Sequence, residues 1–144
     1  MLIKHAFILF FLFATKILSA AELINLTAND VSNELNNNAL VIDIRTPQEW
    51  QQTGIISGSH PIMFFDRSGK YDAEKWLAEV KKLQTSPDQE IILVCRSGGR
   101  SGKAGNFLTN QLNMSHVSHL SNGISSWLKE KRPTQKMCSP TQTC

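Results

Sequence analysis

The pattern of apolar and polar positions divides most of the chain into short strands that alternate with helices. Uninterrupted aliphatic runs at residues 39–44 and 91–94 are typical of parallel strands covered on both faces. Shorter apolar runs at 23–26, 62–65 and 117–120 predict three further strands. Because helical periodicity separates these runs, the pattern predicts βαβ units and an α/β domain with a parallel sheet.

The helices are predicted from capping residues and from apolar positions spaced by 3.6 residues. Thr27, Thr46 and Asp72 each precede such a segment, which is the position of an N-cap. A fourth helix is predicted to begin near Arg100, with Leu108 and Leu112 facing the sheet, and a fifth follows residues 122–123.

The first 21 residues have the layout of a secretory signal peptide. Lys4 precedes a short apolar run, and Ser19 and Ala21 supply the small residues of a cleavage site. A membrane anchor is disfavoured because Lys16 interrupts a run that is shorter than the ~20 residues of a membrane span. We therefore expect a periplasmic or secreted protein without a stable membrane anchor after cleavage.

The remaining 123 residues suffice for one core, which we expect at residues 22–133, followed by a tail at 134–144. Cleavage after Ala21 removes Lys4 and Lys16, so the formal net charge of +3 falls to +1. A nearly neutral domain gives no support for nucleic-acid binding.

Three cysteines divide into a pair and a single residue. In an exported protein, Cys138 and Cys144 can form a small disulfide in the tail, which leaves Cys95 as the odd thiol. An alternative is that the pair exchanges with Cys95 in thiol-disulfide chemistry. The spacing of Cys and His predicts no metal site, and we interpret His116 and His119 as surface residues at the end of a strand.

Cys95 ends a buried strand, where α/β sheets place their ligands. The residues after it carry little side-chain bulk between two arginines, so their N–H groups can surround one atom. They are Arg96, Ser97, Gly98, Gly99, Arg100 and Ser101. The two cations and the N-terminus of the following helix favour a thiolate, which makes Cys95 a candidate nucleophile in an anion-binding loop. The alternative is a small apolar residue that caps a core strand.

Asp43 is a lone carboxylate inside an apolar strand, and Arg45 follows it closely. A buried carboxylate must be paired or heavily hydrogen-bonded, so we expect Asp43 to have such a partner. Glu49 is compatible with an incidental surface charge.

Taken together, these segments resemble the rhodanese family, in particular its exported single-domain members. The matching pieces occur in the family's order and cover nearly the whole mature chain. They are residues 41–45 with Glu49-Trp50, residues 54–59, the loop 95–101, and residues 122–124 with Trp127 and Pro133. The resemblance implies a doubly wound fold with a five-stranded parallel sheet and helices on both faces.

The resemblance also implies a thiosulfate sulfurtransferase whose Cys95 carries a persulfide between a small anionic sulfur donor and cyanide or a thiol. The N–H groups of residues 96–101 would hold the persulfide, and Arg96 and Arg100 would orient the donor. Asp43 and Arg45 would support the loop from below. No cofactor is implied, and we expect a monomer.

Loop length separates this chain from related phosphatases, whose loops place five residues between Cys and Arg. Here four residues lie between Cys95 and Arg100, and the smaller loop suits a sulfur atom better than a phosphoryl group. The same loop would also serve a protein that carries persulfide or polysulfide to a partner with little turnover. The sequence leaves that alternative open.

Overall fold

The computed structural model describes residues 21–137. Its strands are β1 (Ile24–Leu26), β2 (Leu40–Asp43), β3 (Ile55–Ile56), β4 (His60–Pro61), β5 (Ile91–Val94), β6 (Val117–Leu120) and β7 (Thr134–Gln135). Its helices are α1 (Ala28–Asn36), α2 (Pro47–Thr53), α3 (Ala73–Leu83), α4 (Gly99–Asn110) and α5 (Gly123–Lys129). Elements of the two types largely alternate along the chain, as the hydrophobic pattern predicts.

Five strands form one sheet in the order β1-β6-β5-β2-β4, and all neighbours are parallel. From β2 the chain moves outward to β4, whereas from β5 it moves in the opposite direction to β6. The strand order therefore reverses between β2 and β5, at the kind of crevice where open α/β sheets bind ligands.

Side chains on the two faces of the sheet build two hydrophobic cores. Along β5, Ile91 and Leu93 point to the core that contains α3 and α4, whereas Ile92 and Val94 point to the core that contains α1 and α5. The predicted fold, a five-stranded parallel sheet with helices on both faces, is confirmed. All four β5 side chains are buried, which explains the uninterrupted aliphatic run.

The caps predicted from the sequence are present at the first three helices. The side chains of Thr27, Thr46 and Asp72 each accept a hydrogen bond from the backbone N–H three residues later. Helix α4 begins at Gly99, one residue before the predicted start. The prediction that Leu112 faces the sheet is wrong, because α4 ends at Asn110 and 42% of Leu112 is exposed.

The third predicted strand is displaced toward the N-terminus. β4 is His60–Pro61, and the apolar residues after it follow β2 only through single hydrogen bonds, from the Ile62 N–H to Asp43 O and from the Phe64 N–H to Ile44 O. Proline is tolerated in β4 because this strand lies at the edge of the sheet.

Beyond the predicted domain limit at residue 133, β7 pairs with β3 in an antiparallel two-stranded sheet. The indole N–H of Trp127 donates to Pro133 O at 2.9 Å, which holds the residue just before β7 against α5. The predicted signal peptide, apart from Ala21, and the predicted Cys138–Cys144 disulfide lie outside the described residues. Within residues 21–137, no helix is both long enough and apolar enough to cross a membrane.

Candidate active site

Cys95 lies at the carboxyl end of β5 and is only 1% exposed. Its Sγ accepts a hydrogen bond from the Gly98 N–H at 3.1 Å, and Ser101 Oγ lies 3.3 Å from the same sulfur. Gly98 has φ 95° and is the N-cap of α4, so the chain turns back around the sulfur just before the helix starts. The sulfur thus has one backbone N–H and one hydroxyl within hydrogen-bonding distance at the positive end of a helix, a setting that favours an anion.

The segment between β6 and α5 holds this loop by its main chain. Cys95 O accepts from the Ile124 N–H at 2.8 Å, and Arg96 O accepts from both the N–H and the Oγ of Ser125, at 3.1 and 2.8 Å. The approach is so close that a Cβ on Gly98 would overlap Ser121 O, and a Cβ on Gly123 would overlap the main chain of Arg96. Both glycines also have positive φ, so the close contacts and the backbone conformation each favour a residue without a side chain at these two positions.

Arg100 forms an ion pair with Glu49 of α2. Its Nη1 and Nη2 donate to the two carboxylate oxygens at 2.9 and 2.5 Å. Burial opposes ionisation of Glu49, but the hydrogen bonds from Arg100 and from the capping residue Thr46 lower its pKa to about 2. The same hydrogen bonds, which Arg100 donates to Glu49, raise the pKa of Arg100, with burial acting in the opposite direction. Glu49 is therefore part of the site rather than an incidental surface charge, and Arg100 faces the loop with its charge partly neutralised.

Other cations lie near the loop. Arg96 is exposed, and a cavity of about 380 Å³ beside the loop has Arg67, Arg100 and Lys103 in its lining, together with Asp66. Lys103 also lies over the ring of Phe65, with Nζ 5.5 Å from the centroid. Since Arg100 is paired with Glu49, Arg67 and Lys103 against Asp66 leave this cavity with a small excess of positive charge, which favours small anions.

Asp43 is buried and paired, as the sequence predicts. Arg45 Nε lies 2.9 Å from Asp43 Oδ1 and Nη2 lies 2.7 Å from Oδ2, with both side chains almost completely buried. The Trp50 indole donates to Asp43 at 3.1 Å, and the guanidinium reaches Thr53 Oγ1 and Gly54 O at 2.8 Å. Because Asp43 is in register with Val94, this network fixes α2 and the start of β3 beside the base of the Cys95 loop.

His119 is the site residue that the sequence interpretation missed. The prediction of a surface histidine is wrong, because His119 is on β6 and only 6% exposed. Its Nδ1 lies 3.1 Å from Ser101 Oγ and its Nε2 lies 2.6 Å from Asn25 Oδ1 of β1. Burial lowers its pKa. The sequence shows that His119 is two residues after the apolar Val117 and three residues before Asn122-Gly123. It does not show which residues His119 contacts.

The residues described here contain no group of three or more His, Cys, Asp or Glu side chains placed to bind a metal ion. The described groups that bear on the chemistry are the Cys95 thiol, which accepts a hydrogen bond from the Gly98 N–H, and the cations of the neighbouring cavity.

The sequence model of the rhodanese-like domain matches residues 27–130. This chain belongs to the rhodanese family. A crystal structure of a rhodanese-related protein from Thermoplasma volcanium superposes with a TM-score of 0.58 at 26% identity, and the match covers 78% of this chain and 98% of that one. The rhodanese fold is also shared with a polysulfide-sulfur transferase homodimer from Wolinella succinogenes, with a TM-score of 0.60 at 18% identity and 83% of each chain covered.

Curated relatives place the chain among sulfurtransferase homologues. Thiosulfate sulfurtransferase 16 of Arabidopsis thaliana chloroplasts is 33% identical over 96 residues, which are 65% of this chain and 78% of that protein. An uncharacterised protein of Rickettsia prowazekii is 35% identical over 78 residues, or 53% of this chain. The match spans 62% of the length of that Rickettsia relative.

Proposed function

We propose that this protein is a thiosulfate sulfurtransferase that moves a sulfane sulfur from thiosulfate or a similar donor to cyanide or a thiol. The Cys95 thiolate attacks the outer sulfur of the donor, the S–S bond of thiosulfate breaks, and sulfite leaves with the bonding electron pair. The acceptor then attacks the outer sulfur of the Cys95 persulfide and regenerates the thiolate. The two steps balance without any oxidant or reductant.

The observation that carries this proposal is the position of Cys95 Sγ within its loop. It accepts the Gly98 N–H at 3.1 Å, lies 3.3 Å from the Ser101 hydroxyl and is at the N-terminus of α4, so a negative charge on this sulfur meets donors that are already in place. Membership of the rhodanese family and the similarity to a thiosulfate sulfurtransferase support the same chemistry.

The charges around the loop support an anionic donor. Arg96 is exposed at the loop, and the adjacent cavity presents Arg67 and Lys103. We propose that these cations attract the donor, while Arg100, paired with Glu49, mainly holds the loop to α2. Asp43 and Arg45 act on the loop through the scaffold rather than by contact with the donor.

The test is the mass of the protein before and after thiosulfate and again after cyanide, with the added sulfur located by peptide mapping. We expect a gain of one sulfur on the peptide that contains Cys95, its removal by cyanide, and no gain in Cys95→Ser. A double variant, Cys138→Ser with Cys144→Ser, is the matched control because it removes the other thiols and leaves the loop intact. No gain at any donor concentration contradicts the proposal.

Turnover separates the enzyme from a carrier. Repeated formation of thiocyanate from thiosulfate and cyanide is expected of the enzyme, whereas loading of one sulfur without turnover would indicate a persulfide or polysulfide carrier. Loss of transfer in the Cys138→Ser and Cys144→Ser double variant, with Cys95 intact, would instead favour thiol-disulfide exchange with the tail. We further propose that the protein works after export, in a periplasm or outside the cell.

A further inference from the structure

A chain of hydrogen bonds leads from the sulfur of Cys95 across the sheet to β1. Ser101 Oγ lies 3.3 Å from Cys95 Sγ and 3.1 Å from His119 Nδ1, and His119 Nε2 lies 2.6 Å from Asn25 Oδ1. Ser101 is completely buried and His119 nearly so, which keeps these groups from exchanging partners with bulk water. The four residues come from β1, the end of β5, α4 and β6, so only the folded domain brings them together.

The Asn25 contact favours one tautomer of the imidazole. The Asn25 atom nearest Nε2 is its carboxamide oxygen, which only accepts a hydrogen bond, so this contact favours the neutral ring with its proton on Nε2. Nδ1 then has a free lone pair that faces the Ser101 hydroxyl. Burial lowers the pKa of His119, which keeps the ring neutral and this lone pair available near neutral pH.

The Ser101 hydroxyl has one proton and three neighbouring acceptors. These are His119 Nδ1 at 3.1 Å, Gly98 O at 3.1 Å and Cys95 Sγ at 3.3 Å. While the ring is neutral, a hydroxyl that donates to Nδ1 turns a lone pair toward the sulfur, which suits a thiol that donates its S–H. A thiolate cannot donate, so the Ser101 hydroxyl must then turn its proton toward the sulfur and donate a hydrogen bond to it.

We propose that Ser101 and His119 form a proton relay that accepts the thiol proton of Cys95, with Asn25 orienting the ring. The S–H bond of Cys95 breaks as its proton moves to Ser101 Oγ, and the serine proton moves to His119 Nδ1. The products are a thiolate and an imidazolium, and no electrons are gained or lost. His119 is a positioning residue in this scheme, because it acts on the sulfur only through Ser101.

This inference extends the proposed function, since it concerns how the nucleophile of that reaction loses its proton. Every sulfur species of the proposed cycle, thiolate and persulfide alike, is an anion. Because burial lowers the pKa of His119, the imidazolium is disfavoured when the sulfur is a neutral thiol. In the relay it persists only while the sulfur is an anion, whose charge offsets the cost of burial, and the proton returns to the sulfur when a free thiol is formed again.

Among residues 21–137, the groups that contact the His119 ring are neutral. β1 contributes Asn25, β5 contributes Leu93 in register with it, and α4 contributes Ser101 and Gly102, whose Cα side faces the ring edge. In the part of the chain that the structure describes, none of the hydrogen-bond partners of His119 is charged. Through Ser101, the described hydrogen bonds thus connect the ring to the thiol of Cys95.

The test is the rate at which iodoacetamide alkylates Cys95 in the full chain between pH 5 and pH 10, read from the mass of the Cys95 peptide. His119→Gln keeps polar groups at the site but cannot accept a proton. We expect its rate at pH 7 to be about threefold to tenfold below that of the wild type, with the profile displaced to higher pH and the same rate reached at high pH. At high pH the thiol is ionised without help, so His119→Gln and the wild type should react equally fast if only the proton acceptor is lost. A variant with a damaged site would react more slowly at every pH.

The double variant isolates the route. If His119 acts through Ser101, then His119→Gln should have no further effect in a Ser101→Ala background. An unchanged profile in His119→Gln, or an equal displacement with and without Ser101, overturns the relay. His116→Asn is the matched control, since it removes an exposed histidine beside the same strand and Asn tolerates its φ of 59°. A displacement of the same size in this control also overturns the relay.

A measurement on the wild-type protein covers the case in which His119→Gln does not fold. Nitrogen-15 spectra of the imidazole should show a proton on Nε2 in the reduced protein, whereas a bare Nε2 with a protonated Nδ1 overturns the relay. Neither measurement depends on turnover. Failure of sulfur loading with an intact His119 effect would therefore count against the proposed function alone.

Discussion

At the scale of single residues, two adjacent glycines of the Cys95 loop differ in whether their positions could accommodate a side chain. A Cβ on Gly98 would overlap Ser121 O, and φ at this position is 95°. A Cβ on Gly99 would meet nothing within 4 Å, and Gly99 is the first residue of α4. The turn around the sulfur thus depends on the first glycine, and the second could carry a side chain.

We predict that Gly98→Ala destabilises the protein by at least about 2 kcal/mol, since it adds backbone strain and an overlap with the β6–α5 segment. It should also abolish sulfur loading. Gly99→Ala, the matched control, should change the free energy of unfolding by less than about 1 kcal/mol. Urea unfolding and the mass gain with thiosulfate measure both effects, and equal behaviour of the two variants would contradict the assignment of the turn to Gly98.

Two ion pairs of the same length differ in burial. Arg45–Asp43 and Lys82–Glu79 both have N···O distances of 2.7 Å, but the first pair is at most 1% exposed and the side chains of the second are 67% and 49% exposed. Arg45→Met should cost about 3 to 5 kcal/mol, because it leaves Asp43 charged and buried. Lys82→Met should cost about 0 to 1 kcal/mol. Urea unfolding measures both, and a cost for Arg45→Met as small as that for Lys82→Met would show that water or another donor replaces the guanidinium.

The sequence predicted site residues whose signal is local and missed those whose signal is a distant partner. Cys95 was predictable from the apolar run before it and the glycines after it, and the pairing of Asp43 from the strand that surrounds it. Glu49 and His119 were not. Their partners, Arg100 and Asn25, lie 51 and 94 residues away, so only the folded sheet shows that these side chains are part of the site.

At the scale of elements, the Glu49–Arg100 ion pair connects α2 to the first turn of α4. Glu49 also caps α2, because it accepts the Thr46 N–H at 3.1 Å. One carboxylate therefore supports the start of α2 and holds the first turn of α4. Its protonation should loosen both.

The pKa of Glu49 is lowered from 4.5 to about 2, so its ion pair should stabilise the folded state above about pH 4.5 and lose that effect as pH falls toward 2. Glu49→Gln should lower the free energy of unfolding by about 1 kcal/mol at pH 7, after allowance for solvent screening, and make no difference near pH 2. Urea unfolding at several pH values tests this. Glu79→Gln, which removes a carboxylate from an exposed pair, should follow the wild-type profile, and a difference between Glu49→Gln and wild type that persists at pH 2 would contradict the prediction.

Elements were predictable where their own residues decide the structure. The strands at 40–43 and 91–94 are buried on both faces and appear as aliphatic runs, and the capped helices begin where their side chains indicate. The run at 62–65 misled the prediction, because Phe64 and Phe65 are buried in the core although their backbone is not in a strand. β3 and β7 could not be predicted, since each has two residues and is defined by its pairing with the other, at separations of 78 and 80 residues.

At the scale of the whole molecule, the topology brings all parts of the site to one edge. Residues that follow β2 and β5, at the reversal of strand order, supply Arg45 and Cys95, and the ion pair of Glu49 with Arg100 bridges the same crevice. His119 reaches the site from β6, and its own support comes from β1, the outermost strand on that side. The N-terminal strand is therefore linked to the chemistry, although it is far from Cys95 in sequence.

This link limits where an exported form can begin. Leu23 packs against the core beside α4, and Asn25 holds the ring of His119, so a cut after either residue would remove part of the site. The predicted cut after Ala21 keeps both residues. Export should therefore yield a chain that starts at Glu22 with a complete site.

The measurement is the intact mass of protein recovered from the periplasm of a bacterium that expresses the whole chain. We expect the mass of residues 22–144, less two hydrogens if Cys138 and Cys144 form their disulfide. Ala21→Leu places a bulky residue at the cleavage site and should leave the precursor uncut, with an unchanged domain. Recovery of the full-length chain in the cytoplasm would contradict export. A mature start beyond Asn25 in an active protein would show that the site does not need the β1 contact to His119.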